Sequence, residues 1–264
     1  MVNISFIMIY KYIELQTLPG VVNLWLNRPE KRNAFDHDMI LEINHALGII
    51  NDIEDNVVLV LRGRGEAFCA GADLDWMRRA ANLNTEVNYA ECLDLTQCLY
   101  NLYSSRKVTL AVVHGAAYGG GAGLVAACDI AICESDTKFS FSELRMGLVA
   151  SSISPYIIKK LGENRTKELV FTAMQFDGTQ AEKYGLINRS IPKVQLDSVL
   201  EEYVNMIRKG TPKAREIAKE LILQMVPGEI SKEVIYKTAR ILADVRVSND
   251  AQERITGFLN KVNV

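Results

Sequence analysis

Three stretches of this chain are apolar almost without a break: "VVLVLRGRG" (57–65), "TLAVVHG" (109–115) and "DIAIC" (129–133). A strand with one wet face alternates polar and apolar residues, so unbroken runs predict strands covered on both faces. Between them lie segments of helical period: one around residues 85–104 and a short one over "AGLVAA" (122–127). Strands that alternate with helices must be joined by crossovers and run parallel, which fixes the class as α/β.

The ends of the chain read differently. "YKYIEL" and "VVNLWLN" predict two strands joined by a turn at Pro19-Gly20. "RPEKRNAF" is a polar loop, and Asp36 is placed to cap a helix over "HDMILEINHALGIINDI", where Met39, Ile40, Ile43, Leu47 and Ile50 recur at helical spacing. From about Leu196 onward four amphipathic helices follow without a strand signal. The division expected is an α/β core over 1–195 and a helical region over 196–264, working as one unit.

Composition narrows the function. Of 264 residues, 48% are hydrophobic and 23% charged, and a formal net charge of −2 without a block of like charge gives no footprint for nucleic acid or anionic membrane. The N-terminal stretch lacks a basic flank and a cleavage site, and is shorter than the roughly 20 residues that span a bilayer. Five cysteines without CxxC spacing fit a reducing cytoplasm. Three histidines without metal-site spacing predict no metal. His114 is expected as a satisfied core residue, His37 and His45 as solvated, and Asp129 as a structural hydrogen-bonding group.

Two loops follow buried strands and combine small residues with a helix start: "AFCAGADL" (67–74) and "HGAAYGGGAGLVAACDI" (114–130). Unpaired N–H groups at a helix start suit a phosphate or a developing oxyanion. The phosphate reading is weak, since no Lys-Ser or Lys-Thr follows the glycines. A dinucleotide fingerprint matches only loosely, at Gly121, Gly123 and Ala126, and lacks its acidic partner.

"LNRPEKRNAF", "FCAGADL", "HGAAYGGGAGLVAACDI", "FSFSELRMGL" and "AEKYGLIN" occur in this order. Together they resemble the crotonase, or enoyl-CoA hydratase/isomerase, superfamily. The resemblance implies a ClpP-like fold of spiralling ββα turns with a helical C-terminal region that builds homotrimers, or hexamers as dimers of trimers. It implies acyl-CoA thioester substrates, with CoA as part of the substrate and no cofactor. By motif, the N–H groups of Ala72 and Gly120 would hold the thioester oxygen. Lys31, Arg32, Ala34, Ala70, Asp73, Leu74 and Gly119 would contact CoA, and Phe258 and Lys261 would reach the nucleotide end of a neighbouring subunit's CoA.

The family's well-studied hydratases use two glutamates. Here Glu143 matches the second, while Gly123 stands at the position of the first. One carboxylate must then do all the proton work, or a hydroxyl or water must replace the other. With "VASSISPYIIKKLGE" (149–163), this departure resembles bacterial methylglutaconyl-CoA hydratase-like members, and Ser151 or Ser152 would hold the attacking water. Trp76, Met77, Gly123, Ser151 and Ser152 are expected around the acyl group. Hydration of an α,β-enoyl thioester is the first expectation. Isomerisation by one glutamate and acyl-CoA binding without catalysis are the alternatives.

Overall fold

The computed structural model describes residues 10–53, 58–225 and 230–262. The apolar stretch ahead of Tyr10 lies outside them, as do the side chains of Phe258 and Lys261. In chain order the elements are β1 (Ile13–Leu18), β2 (Val21–Leu26), α1 (His37–Asp52), β3 (Val58–Gly63), α2 (Leu74–Ala80), α3 (Thr85–Tyr103), β4 (Val108–Val113), β5 (Ala116–Tyr118), α4 (Gly120–Ala127), β6 (Ile130–Glu134) and β7 (Lys138–Ser140). Then come α5 (Ser154–Thr172), β8 (Phe176–Asp177), α6 (Gly178–Tyr184), β9 (Arg189–Ile191), α7 (Leu196–Arg208), α8 (Pro212–Met225), α9 (Lys232–Arg246) and α10 (Asn249–Val262).

The main sheet has the order β1-β2-β3-β4-β6-β9 and is parallel apart from the β1–β2 hairpin. Successive side chains of a strand point to opposite faces, and here both faces are covered. Leu59, Leu61, Ala111 and Val113 meet Met39, Ile43 and Leu47 of α1 on one side. Val58, Val60, Leu110 and Val112 meet Leu196, Val199, Leu200 and Val204 of α7 on the other. That is why the strands read as unbroken apolar runs. Asp36 caps α1 as expected, accepting a hydrogen bond from Met39 N at 3.0 Å.

A second, smaller sheet has the order β5-β7-β8. Single parallel bridges, Cys69 with Ala117 and Phe35 with Ala72, extend its layer. With strands of two or three residues it leaves no periodic trace in the sequence. The candidate site is built on this layer.

The last helices are continuous with the core. α9 lies along α3 and buries Ile235, Ala239, Leu242, Ala243 and Arg246, and α10 packs Ala251, Ile255 and Leu259 against Met77 and Leu148. No helix among the described residues is long and apolar enough to cross a membrane. Nor do they hold a group of three His, Cys, Asp or Glu that could take a metal.

Two histidine expectations need correction. His37 is half-buried, its Nε2 2.7 Å from Asp94 Oδ2, whereas His45 is exposed as expected, its Nδ1 3.0 Å from the Tyr10 hydroxyl. His114 is satisfied by the Gly65 carbonyl at 3.0 Å but is half-buried at the surface, not a core residue. Asp129 accepts from Thr109 N and Oγ1 at 2.8 and 3.0 Å and pairs with Lys219 at 2.8 Å.

Candidate active site

Two backbone segments meet where the small sheet faces a cavity of about 200 Å³. In the first, Gly71 O accepts from Phe35 N and Phe35 O accepts from Asp73 N, each at 2.9 Å. The extended chain alternates sides residue by residue, so the Ala72 N–H points away from Phe35. Ala72 lines the cavity. In the second segment Gly119 turns the chain at φ 49°, ψ −121°, a conformation open in practice to glycine alone. Gly120 then opens α4 with an N–H that has no partner within the helix. Among the described residues neither the Ala72 nor the Gly120 N–H donates to a backbone acceptor.

The segments are pressed together. Tyr118 N donates to Cys69 O at 3.0 Å, and a Cβ on Gly71, at φ 94°, would come 3.0 Å from Tyr118 O. A Cβ on Gly120 would sit 2.4 Å from Phe35 Cζ. The donors therefore occupy a backbone surface with no room for a Cβ at Gly71 or Gly120.

Glu143 begins a short 3-10 turn (Glu143–Met146) after β7, closed by Gly147 in the left-handed region. The residue keeps some exposure overall, but its Oε2 is enclosed and has no hydrogen-bond partner. Burial pushes its carboxyl up from 4.5 to about 7. Oε1 lies against Gly119, 3.0 Å from where a Cβ would stand. Ser151 and Ser152 line the same cavity, 8% and 6% exposed, and each Oγ is enclosed without a partner. Buried polar groups are almost always hydrogen-bonded. Three orphaned oxygens on one cavity therefore mark a place for a polar guest.

Of the residues expected here, Ala70, Ala72, Leu74, Met77, Gly119, Gly120, Glu143, Ser151 and Ser152 line this cavity. Others do not. Gly123 lies behind the wall: a Cβ there would stand 2.2 Å from Ile153 Cγ2, and Ile153 faces the cavity in its place. The family's first glutamate is thus excluded by an isoleucine filling its volume. Trp76 is 1% exposed and packs edge-on to Phe35, its Nε1 donating to Glu91 at 2.5 Å, so its role is to support the wall. Asp73, expected at CoA, instead caps α2 by accepting from Asp75 N and Trp76 N, and pairs with buried Arg28 at 3.1 Å.

Lys31 pairs with Asp75 at 2.8 Å, Arg32 is exposed at φ 50°, and the buried Ala34 carbonyl accepts from Arg28 Nη1 at 2.7 Å. Two residues missed in the sequence organise this region. Asn33, fully buried at φ 55°, accepts from Arg28 N at 2.8 Å and donates to Arg64 O and Ala67 O at 2.7 and 2.8 Å. Arg246 of α9 reaches the cavity wall, 3% exposed, its guanidinium 4.7 Å from the Trp76 ring centroid. A cation on the apolar stripe of an amphipathic helix was its legible signal.

The comparisons with known proteins agree with this geometry. A family model described as enoyl-CoA hydratase/isomerase matches residues 16–264. A Thermus thermophilus protein carrying an enoyl-CoA hydratase name is 32% identical over 241 residues, 91% of this chain and 95% of its own. A mitochondrial Delta(3,5)-Delta(2,4)-dienoyl-CoA isomerase of Dictyostelium discoideum is 29% identical over 96% of this chain and 90% of its own. The crystal structure of an enoyl-CoA hydratase from Shewanella pealeana superposes with a TM-score of 0.80 at 32% identity, covering 95% of this chain and 94% of that one. With two facing backbone donors, a buried glutamate and a match over nearly its whole length, this chain belongs to the enoyl-CoA hydratase/isomerase family and has the crotonase fold.

Proposed function

We propose that this protein is an enoyl-CoA hydratase, adding water across the double bond of an α,β-unsaturated CoA thioester. The observation that carries the reading is the set of orphaned oxygens: Glu143 Oε2 and the Ser151 and Ser152 hydroxyls on one cavity. The thioester oxygen sits between the Ala72 and Gly120 N–H groups, which stabilise negative charge as it develops. Ser151 or Ser152 holds a water beside Glu143. The carboxylate takes a proton from that water as its oxygen bonds to C3. The electron pair moves to the thioester oxygen, and Glu143 returns the proton to C2 as the enolate collapses. A carboxyl poised near 7 is populated in both forms at neutral pH, as a group that both accepts and donates must be.

Lys31 and Arg32, at the loop that adjoins the cavity, suit the phosphates of CoA, and no metal or redox cofactor is required. The core over 1–195 and the helices over 196–264 act as one unit, a reading supported by Leu242 and Arg246 on the cavity wall. Exposed Ile217, Leu221 and Ile222 on α8 favour assembly into homotrimers or hexamers. Five buried, unpaired cysteines fit a reducing cytoplasm. Ser151–Ser154 together with Gly123 are the ground for placing the chain near the methylglutaconyl-CoA hydratase-like members.

One observation favours a second reading. Glu143 is the only acid among the cavity-lining described residues, and a single carboxylate can move a proton between C2 and C4. Incubation with 2-enoyl and 3-enoyl thioesters, followed by mass for water addition and by ultraviolet absorbance of the conjugated 2-enoyl thioester for double-bond position, decides. Gain of one water from the 2-enoyl substrate is expected. Double-bond migration at unchanged mass makes the protein an isomerase, and binding without turnover makes it an acyl-CoA-binding homologue.

A further inference from the structure

A second cavity, of about 490 Å³, lies under α8 and shares no lining residue with the first. Arg215, Ala218, Lys219, Ile222 and Leu223 line it from α8. Their spacing of three and four residues puts them on one face of the helix. Ile217 and Leu221 fall on the opposite face, so the exposed apolar strip they form points away from the cavity. The facing wall comes from the end of α4, at Ala126 and Cys128, and from α5, at Tyr156, Lys159 and Lys160.

Charge on this cavity is one-sided. Four half-buried cations line it, Lys159, Lys160, Arg215 and Lys219, against one carboxylate among the described lining residues, Asp129. That carboxylate is already engaged by Thr109 N, Thr109 Oγ1 and Lys219 Nζ, at 2.8, 3.0 and 2.8 Å. Lys160 has donors to spare. An ammonium carries three, and one is used, on the Asp129 carbonyl at 3.0 Å. Burial pushes the Lys160 pKa below its ordinary 10.5, so its surroundings favour the neutral amine more than water does. An anion at the ammonium would oppose that shift.

The remaining wall is largely apolar, with Val108, Ala126, Ala218, Ile222 and Leu223 around the lysines. A small anion would answer the charge and leave this surface wet. A neutral chain would cover the surface and leave the ammonium unanswered. A guest that fits both needs a charged head and an apolar body. At about 30 Å³ per water, the cavity has room for about sixteen non-hydrogen atoms.

We propose that this cavity binds a medium-chain fatty-acid anion, its carboxylate on Lys160 and its chain against α8. The site is separate from the active-site cavity and does not depend on the reaction performed there.

Calorimetry compares octanoate with octan-1-ol, which share an eight-carbon chain and differ in charge, and with acetate, which keeps the charge and lacks the chain. Octanoate is expected to bind roughly tenfold to a hundredfold tighter than octan-1-ol, the range of charge-assisted hydrogen bonds. It should also bind more than about tenfold tighter than acetate, which buries no chain. Lys160→Met should bring octanoate and octan-1-ol together. Ala218→Trp, which fills the cavity without touching a charge, should weaken both. Saturating pentanoyl-CoA should leave octanoate binding unchanged. Equal affinities of octanoate and octan-1-ol for the native protein overturn the proposal even if neither variant folds. So does displacement of octanoate by pentanoyl-CoA, which would put it in the first cavity. So does a Lys160→Met protein that binds octanoate normally but sediments at a different size, which would make this cavity a contact between copies. Failure of the water-addition assay removes the hydratase reading and leaves the octanoate result as it stands.

Discussion

The two sides of the cavity are made of different material. On one side, Ala72 and Gly120 present backbone N–H groups on a surface with no room for a Cβ at Gly71 or Gly120. On the other, Glu143, Ser151, Ser152, Ile153 and Arg246 present side chains, four of them with enclosed atoms that lack a partner. The backbone side can be damaged only through its shape. The side-chain side can be rewritten one residue at a time. Relatives named as a hydratase and as a dienoyl-CoA isomerase are 32% and 29% identical to this chain over nearly its whole length. Such variety is what a fixed backbone half joined to an editable side-chain half allows.

The deepest break comes from the editable half. Glu143→Gln is expected to lower kcat by about 10²–10⁴-fold, measured on the 2-enoyl thioester. The same variant has a second signature. Because the folded-state value is raised, the native protein binds more protons than the unfolded chain between about 4.5 and 7. Stability tied to Glu143 is therefore complete below about 4.5 and is lost as pH rises through about 7. Denaturant titrations should show Glu143→Gln becoming more stable than the native protein by up to about 3 kcal/mol at pH 8. A constant difference across pH would mean that the carboxyl is not buried as described.

On the backbone half, Gly120→Ala forces a Cβ to within 2.4 Å of Phe35 Cζ. Displacing one oxyanion donor costs about 2.7–4 kcal/mol of transition-state stabilisation, so kcat should fall about 10²–10³-fold while Glu143 is untouched. Near-native kcat would show that this N–H does not serve the reaction.

The boundary between the halves is tested at Gly123 and Ile153. Gly123→Glu alone should destabilise by about 1–3 kcal/mol through overpacking. In an Ile153→Gly background the same change should cost less, giving a coupling of about 1–3 kcal/mol in a double-mutant cycle of thermal melts. Additive effects would show that the isoleucine does not occupy that volume. Smallest in stability is the pair Ser151→Ala and Ser152→Ala, each expected within about 1 kcal/mol because each removes a hydroxyl that is buried without a partner. Together they should reduce hydration strongly, and full activity of the double variant would remove the serines from water binding.

What could be read in advance follows the same divide. β3, β4 and β6 announce themselves as apolar runs because both faces are covered, and the glycine loops because close backbone approach leaves glycine no substitute. Glu143 was readable through its motif. The β5-β7-β8 layer was not, since two- and three-residue strands carry no period. Nor were α5, α6 and β9, which lie in a stretch where no elements were read. Trp76 sits beside a motif and Asp73 inside one, and position in sequence says nothing of which side of a wall a residue faces. Gly123 reads as a missing carboxylate, but what fills its volume is Ile153, thirty positions away. Arg246 was visible as a charge on an apolar stripe, yet only the structure puts it on the cavity wall.

Asn33 carries one more consequence. Its side chain ties Arg28 N on its own loop to Arg64 O and Ala67 O on the next, and the Ala70 N–H reaches back to Arg32 O at 3.0 Å. The loop bearing Lys31 and Arg32 and the segment bearing Ala72 are therefore tied together by hydrogen bonds. A change made in the loop at Lys31 and Arg32 is expected to be felt at the Ala72 N–H, about forty positions along the chain.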